Sequence, residues 1–137
     1  MAFEIYLNFK NGEAQEAFET YEKLFAGKRN PNIMRYKNVP GMKVKPEEAN
    51  YVLHAEMTLE NMTINVSDVD QSTRYVKGTQ VSIMYTCASV TDLEHKFEIL
   101  SKGGQVNVKP EKTFFAESYT EFEDRFGIPW QLIYILR

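Results

Sequence analysis

Asp124-Arg125-Phe126-Gly127-Ile128-Pro129-Trp130-Gln131-Leu132-Ile133-Tyr134 is the stretch that decides the fold. Its first four residues read as a tight turn. Asp offers its side chain to nearby backbone N–H groups, and Gly enters backbone conformations that other residues avoid. Pro129 sets an extended start, and the aromatic and β-branched residues after it suit a strand. Along that strand Trp130, Leu132 and Tyr134 share one face, and Gln131, Ile133 and Ile135 share the other. The first face is apolar and suits packing under helices. The second opens with a single amide, so what Gln131 faces becomes the functional question.

Working back from that strand, the same two periods recur. Phe3 to Phe9 alternates, with Phe3, Ile5, Leu7 and Phe9 against Glu4, Tyr6 and Asn8. That is a half-buried strand. Glu13 to Phe25 has helical spacing at Ala14, Ala17, Phe18, Tyr21, Leu24 and Phe25, with Gly27 as its stop. Asn32 to Tyr36 reads as a short strand, followed by a long connection from Lys37 to Asn50. Tyr51 to Leu59 is a strand with Leu53, Ala55, Met57 and Leu59 on its apolar face. Val52, His54, Glu56 and Thr58 form its other face. Glu60-Asn61 turns the chain into a strand from Met62 to Ser67. Asp68 to Thr79 is polar and reads as a connection. The order then restarts: a strand over Gln80 to Cys87, then a helix over Thr91 to Lys102 with Leu93, Phe97 and Leu100 inward. Thr91 and Glu94 offer that helix a capping box, and Gly103-Gly104 ends it. Strands beginning at Val106 and covering Phe114 to Phe122 and Trp130 to Leu136 complete the second half.

The order βαβββ therefore occurs twice, as a structural repeat with little residue identity. The fold class is α+β. Two βαβββ modules form curved sheets around a cup, with the helices outside. Module one covers about 1–69, the connection about 70–79, and module two about 80–137 of a single domain. The mixed strand faces supply the cup residues Tyr6, Asn8, His54, Glu56, Asn65, Ser82, Met84 and Gln131.

Composition excludes several classes. The net charge of -3 and the scattered Lys and Arg residues do not make a nucleic-acid-binding face. No apolar run approaches the ~20 residues of a membrane span. Met1-Ala2-Phe3-Glu4 lacks the regions of a signal peptide, and the single Cys87 fits a reducing cytoplasm. Cys87 has no basic neighbour in sequence and reads as a buried structural thiol. His95, within the second helix, reads as a rim or solvated residue. Phe114, Phe115, Tyr119 and Phe122 divide between core and an apolar pocket wall, and Glu117, Glu121, Glu123 and Asp124 read as a solvated face and turn. There is no Gly-rich phosphate loop, nucleophile elbow, zinc spacing or methyltransferase cofactor fingerprint.

The chain resembles the vicinal oxygen chelate superfamily, which includes glyoxalase I and the extradiol dioxygenases, and within it the PhnB-like group. The resemblance rests on the duplicated order and on Arg35-Tyr36, Pro40-Gly41-Met42, Leu53-His54-Ala55-Glu56, Ser67-Asp68, Thr113-Phe114-Phe115 and Asp124 to Trp130. It implies the glyoxalase-like fold and a homodimer. It also implies metal ligands on the first and fourth strands of each half in catalytic members. Counted by strand, those positions hold Tyr6, Asn65, Ser82 and Gln131, of which only Gln131 is a common ligand type. The reading is therefore a protein that binds a small, partly apolar molecule without a catalytic metal or other cofactor. One alternative is a lyase, isomerase or oxygenase of the glyoxalase type with a divalent ion on His54, Glu56 and Gln131, the first two also being the candidate catalytic pair. Another is a structural or regulatory dimer without a ligand.

Overall fold

A computed structural model describes residues 1–136. The elements run β1 (Ile5–Phe9), α1 (Ala14–Phe25), β2 (Lys28–Arg29), β3 (Met34–Arg35), β4 (Val52–Thr58), β5 (Thr63–Asp68), β6 (Ile83–Thr86), α2 (Val90–Ser101), β7 (Gln105–Glu111), β8 (Ser118–Glu123) and β9 (Pro129–Tyr134). Two compact units meet in sequence at Tyr75 and Val76. The first sheet has the order β1-β5-β4-β2, with β3 also on β4; the second has the order β6-β9-β8-β7. In each, the first strand lies parallel to the last, β1 to β5 and β6 to β9, and the other neighbours are antiparallel. This is the βαβββ pattern twice, in an α+β glyoxalase-like fold.

The helices form where the 3.6-residue spacing lies. α1 buries Ala14, Ala17, Phe18 and Tyr21 against β4 and β5. Phe9, Ala55, Met57, Ile64 and Val66 meet it from the sheet. α2 buries Leu93 and Leu100, and Phe97 sets its ring edge-on to Phe122 at 5.6 Å. A fully buried side chain of this size contributes about 1.5–3 kcal/mol.

The closing turn is built as its residues suggest. Asp124 Oδ1 accepts from Phe126 N at 2.9 Å and Ile128 N at 3.0 Å, and Gly127 takes a φ of +90°. That left-handed value favours glycine. Asp124 is not solvated, however. It is buried, and its Oδ2 accepts from the Trp130 indole N–H at 2.9 Å.

Several expectations are corrected. The strand expected over Asn32 to Tyr36 shrinks to β3, Met34–Arg35, and a further short strand, β2, lies before it at Lys28–Arg29, beyond Pro31, which has no N–H for a ladder. Val52 lies on the helix side, lining a small internal void with Phe18, Ala55 and Val66. The pairing of β3 with β4 shifts register there, which turns the residue to the other face. Asp68 ends β5 rather than opening a linker. It is buried, and its two oxygens accept from Ala14 N and Val52 N, both at 2.9 Å. Ser89, not Thr91, caps α2, accepting from Asp92 N at 3.0 Å. Regular pairing of β6 begins only at Ile83, after Ser82. Phe114 is fully exposed in a loop before β8, where Thr113 Oγ1 accepts from the N–H groups of Phe115 and Ala116.

Candidate functional site

In the first sheet Ala55 and Val66 face Gln15 and Phe18 of α1. Their neighbours Glu56 and Asn65 therefore lie on the helix-free face. Register places Tyr6, Asn65 and Glu56 in one row across β1, β5 and β4. His54, two residues before Glu56, joins that row from the side. Asn65 Oδ1 accepts from His54 Nε2 at 2.8 Å, and Asn65 Nδ2 donates to Glu4 Oε1 at 2.9 Å and to Ile5 O at 3.3 Å. An amide oxygen only accepts, so these bonds put the imidazole hydrogen on Nε2. The Tyr6 and His54 rings stack with centroids 6.1 Å apart. Asn8 is exposed on the same face, opposite Ser67.

The second sheet repeats the arrangement. Phe122 and Trp130 pair on the helix side, so Glu121 and Gln131 lie on the helix-free face. Met84, Gln131 and Glu121 form the row across β6, β9 and β8. Tyr119, two residues before Glu121, donates its O–H to Gln131 Oε1 at 2.6 Å, and Gln131 Nε2 donates to Ser82 Oγ at 2.7 Å. Each sheet thus has a central amide whose oxygen takes a ring donor from the next strand. The amide nitrogen gives to an oxygen two residues before the row on the parallel strand. Tyr6 corresponds to Met84, and Glu4 to Ser82. Counting by strand pairs Tyr6 with Ser82 instead, two residues out of register.

His54 and Glu56 share a face, but Glu56 does not orient His54. Glu56 Oε1 accepts from Asn30 Nδ2 at 2.9 Å, and Asn65 holds the imidazole. His95 is exposed on α2. Burial, then the nearby Asp92, pushes the Cys87 thiol up to about 12, which leaves it protonated and unreactive. Burial, then Glu121, pushes the Tyr119 phenol up to about 12, so it is a neutral donor at ordinary pH.

Glu121, Glu4 and Asn30 were not among the site residues read from sequence, and Tyr119 was read only as core or apolar pocket wall. The signal was present: Tyr119-x-Glu121 repeats the spacing of His54-x-Glu56. A polar ring followed two residues later by Glu puts both on one strand face in each half.

The donor set does not fit a divalent ion. Among the described residues no three His, Cys, Asp or Glu side chains come together for one. The two row amides already accept from ring donors, and their row neighbours Tyr6 and Met84 are a phenol and a thioether. At the start of α1 Asp68 accepts from Ala14 N; at α2 Ser89 Oγ accepts from Asp92 N, and Asp92 Oδ2 accepts from Ala88 N, just before the cap.

The sequence model of one protein family, described as 3-demethylubiquinone-9 3-methyltransferase, matches residues 2–133. No curated protein matches the sequence. Among solved structures, a protein from Pseudomonas aeruginosa is similar at 24% identity and a TM-score of 0.83, over 98% of each chain. A putative 3-demethylubiquinone-9 3-methyltransferase, PhnB protein, from Bacillus cereus is similar at 25% identity and a TM-score of 0.79, over 98% of this chain and 99% of that one. A glyoxalase/bleomycin resistance protein/dioxygenase family enzyme from Burkholderia phytofirmans shares the fold at 9% identity and a TM-score of 0.62, over 96% and 97% of the two chains.

Proposed function

The chain belongs to the PhnB-like family described as 3-demethylubiquinone-9 3-methyltransferase, within the vicinal oxygen chelate superfamily, and we propose that it binds a small, partly apolar molecule without a catalytic metal. The observation that carries this reading is the repeated row. Each sheet sets one amide in the middle of a helix-free face, held on both sides by protein hydrogen bonds. Beside it stands a large, half-exposed side chain, Tyr6 at 51% and Met84 at 53%. An apolar surface with a few fixed polar groups is the usual make-up of a small-molecule site. Methyl transfer draws no support from these residues, which carry no methyltransferase cofactor fingerprint.

Two measurements test the reading. Protein dialysed against zinc, nickel, manganese and iron, then weighed by native mass spectrometry, should carry no stoichiometric ion. One tight equivalent abolished by Gln131→Ala but untouched by His54→Ala would put an ion at the superfamily position. One equivalent lost in His54→Ala would instead favour an enzyme using His54, Glu56 and Gln131. Binding itself is read by NMR: titration with small aromatic compounds should shift resonances of Tyr6, Met84 or their row neighbours. If no such compound moves them, the binding reading fails.

A further inference from the structure

The second row does more than offer an apolar surface. Tyr119 is only 9% exposed and packs with Ala116, Ile133 and Val108. From there it reaches the Gln131 amide from one side, while Ser82 takes the amide from the other. An amide nitrogen has two hydrogens. One is given to Ser82, and among the described residues no protein acceptor takes the other. Gln131 is half-buried on the open face, between half-exposed Met84 and Glu121. Within its row the charge has one sign. Glu121 is the register partner of Gln131, and the row contains no Lys or Arg. In the first sheet Glu56 stands in the same place and Glu4 bonds Asn65.

We propose that the Gln131 amide, fixed by Tyr119 and Ser82, donates its second N–H to an uncharged oxygen of the ligand, such as a ketone or amide carbonyl. The apolar part of that ligand lies on Met84, and Glu121 turns anions away. This rests on the binding reading above and narrows its ligand class: carboxylates, phosphonates and phosphates are disfavoured. Tyr119 is then a positioning residue, acting through Gln131 rather than touching the ligand.

Three naphthalenes of one ring size separate the parts. 2-Acetylnaphthalene, 2-naphthoate and naphthalene are titrated into isotopically labelled full-length protein at neutral pH, and the side-chain amide resonances of Gln131 are followed. The ketone should shift them saturably, and the carboxylate should bind at least about tenfold more weakly. That gap should close in Glu121→Gln. Tyr119→Phe keeps the ring and its packing, so the backbone spectrum should persist. Its ketone affinity should fall about fivefold, the weight of one hydrogen bond. Its affinity for naphthalene, which has no acceptor, should stay the same; a merely structural role would weaken both alike. Equal or tighter carboxylate binding, or an unchanged ketone affinity in Tyr119→Phe, overturns the proposal. Saturable shifts on this face that leave the Gln131 amide unmoved also overturn it, while sparing the binding reading. Silence of both rows toward all three compounds sinks the two together.

Discussion

Trp130 is 2% exposed and gives its indole N–H to a carboxylate that is itself buried. Trp130→Ala therefore opens a cavity and takes one partner from Asp124. The expected loss is about 3–5 kcal/mol, read from urea titration by circular dichroism. A loss under about 1 kcal/mol would mean that the ring contributes little packing. The turn was legible because Asp124 and Gly127 are the residue types such a turn requires. The burial of Asp124 was not, because Glu117, Glu121 and Glu123 near it suggested a solvated stretch. Sequence shows a carboxylate's charge but not the N–H groups that converge on it. Asp68 was hidden in the same way, at the edge of a polar run. Burial raises its carboxyl, while the N–H groups of Val52 and Ala14 and the nearby Arg35 pull it back in part. An acid raised on folding holds its proton more tightly in the native state. Its stabilisation is complete below the unfolded value and is lost as pH rises through the folded one. Urea midpoints taken from about pH 3.5 to about 6.5 should show wild type losing stability relative to Asp68→Asn as pH rises. The opposite trend would mean that the two N–H bonds outweigh burial.

Both helices follow the apolar spacing to within a residue, because three or more inward side chains on one stripe fix a helix more firmly than its ends do. The ends depend on single hydrogen bonds, and there the reading slipped. Ser89 caps α2 through Asp92 N, two residues before Thr91. Ser89→Ala should cost about 1 kcal/mol, and Thr91→Ala, exposed within the first turn, only a few tenths. Parallel thermal melts of the two variants decide the matter; a larger loss in Thr91→Ala would return the cap to that residue. Strand boundaries slipped further where chain chemistry competes with period. Pro31 divides β2 from β3, and Thr113 wraps its hydroxyl around the Phe115 and Ala116 amides, so the aromatic run at Phe114 begins as a loop. That Tyr6, His54, Glu56, Asn65, Met84 and Gln131 lie on the helix-free faces of their own sheets follows from strand alternation alone. Their grouping does not, since the equivalence of Tyr6 with Met84 depends on pairing register, which alternation does not carry.

Both sheets expose edge strands, and large apolar side chains stand in solvent: Phe114 at 100%, Val81 at 75% and Leu136 at 66%. Edges and patches of this kind are usually covered. The expected assembly is a symmetric homodimer with the Lys37 to Asn50 connection near the partner or over the binding face. Light scattering at micromolar concentration should give about twice the 15.9 kDa chain mass, and a monomer mass would refute it. The closing turn bears on a different property, the way the chain comes apart. Trp130 is the sole tryptophan, and it lies in the second of the two compact units. Its emission therefore reports that unit alone, whereas far-ultraviolet circular dichroism sums α1 and α2 from both. In one urea titration, coincident curves would show the units unfolding as a single cooperative body. An emission curve displaced from the dichroism curve would show two separate foldons, one of them carrying its own internal gauge.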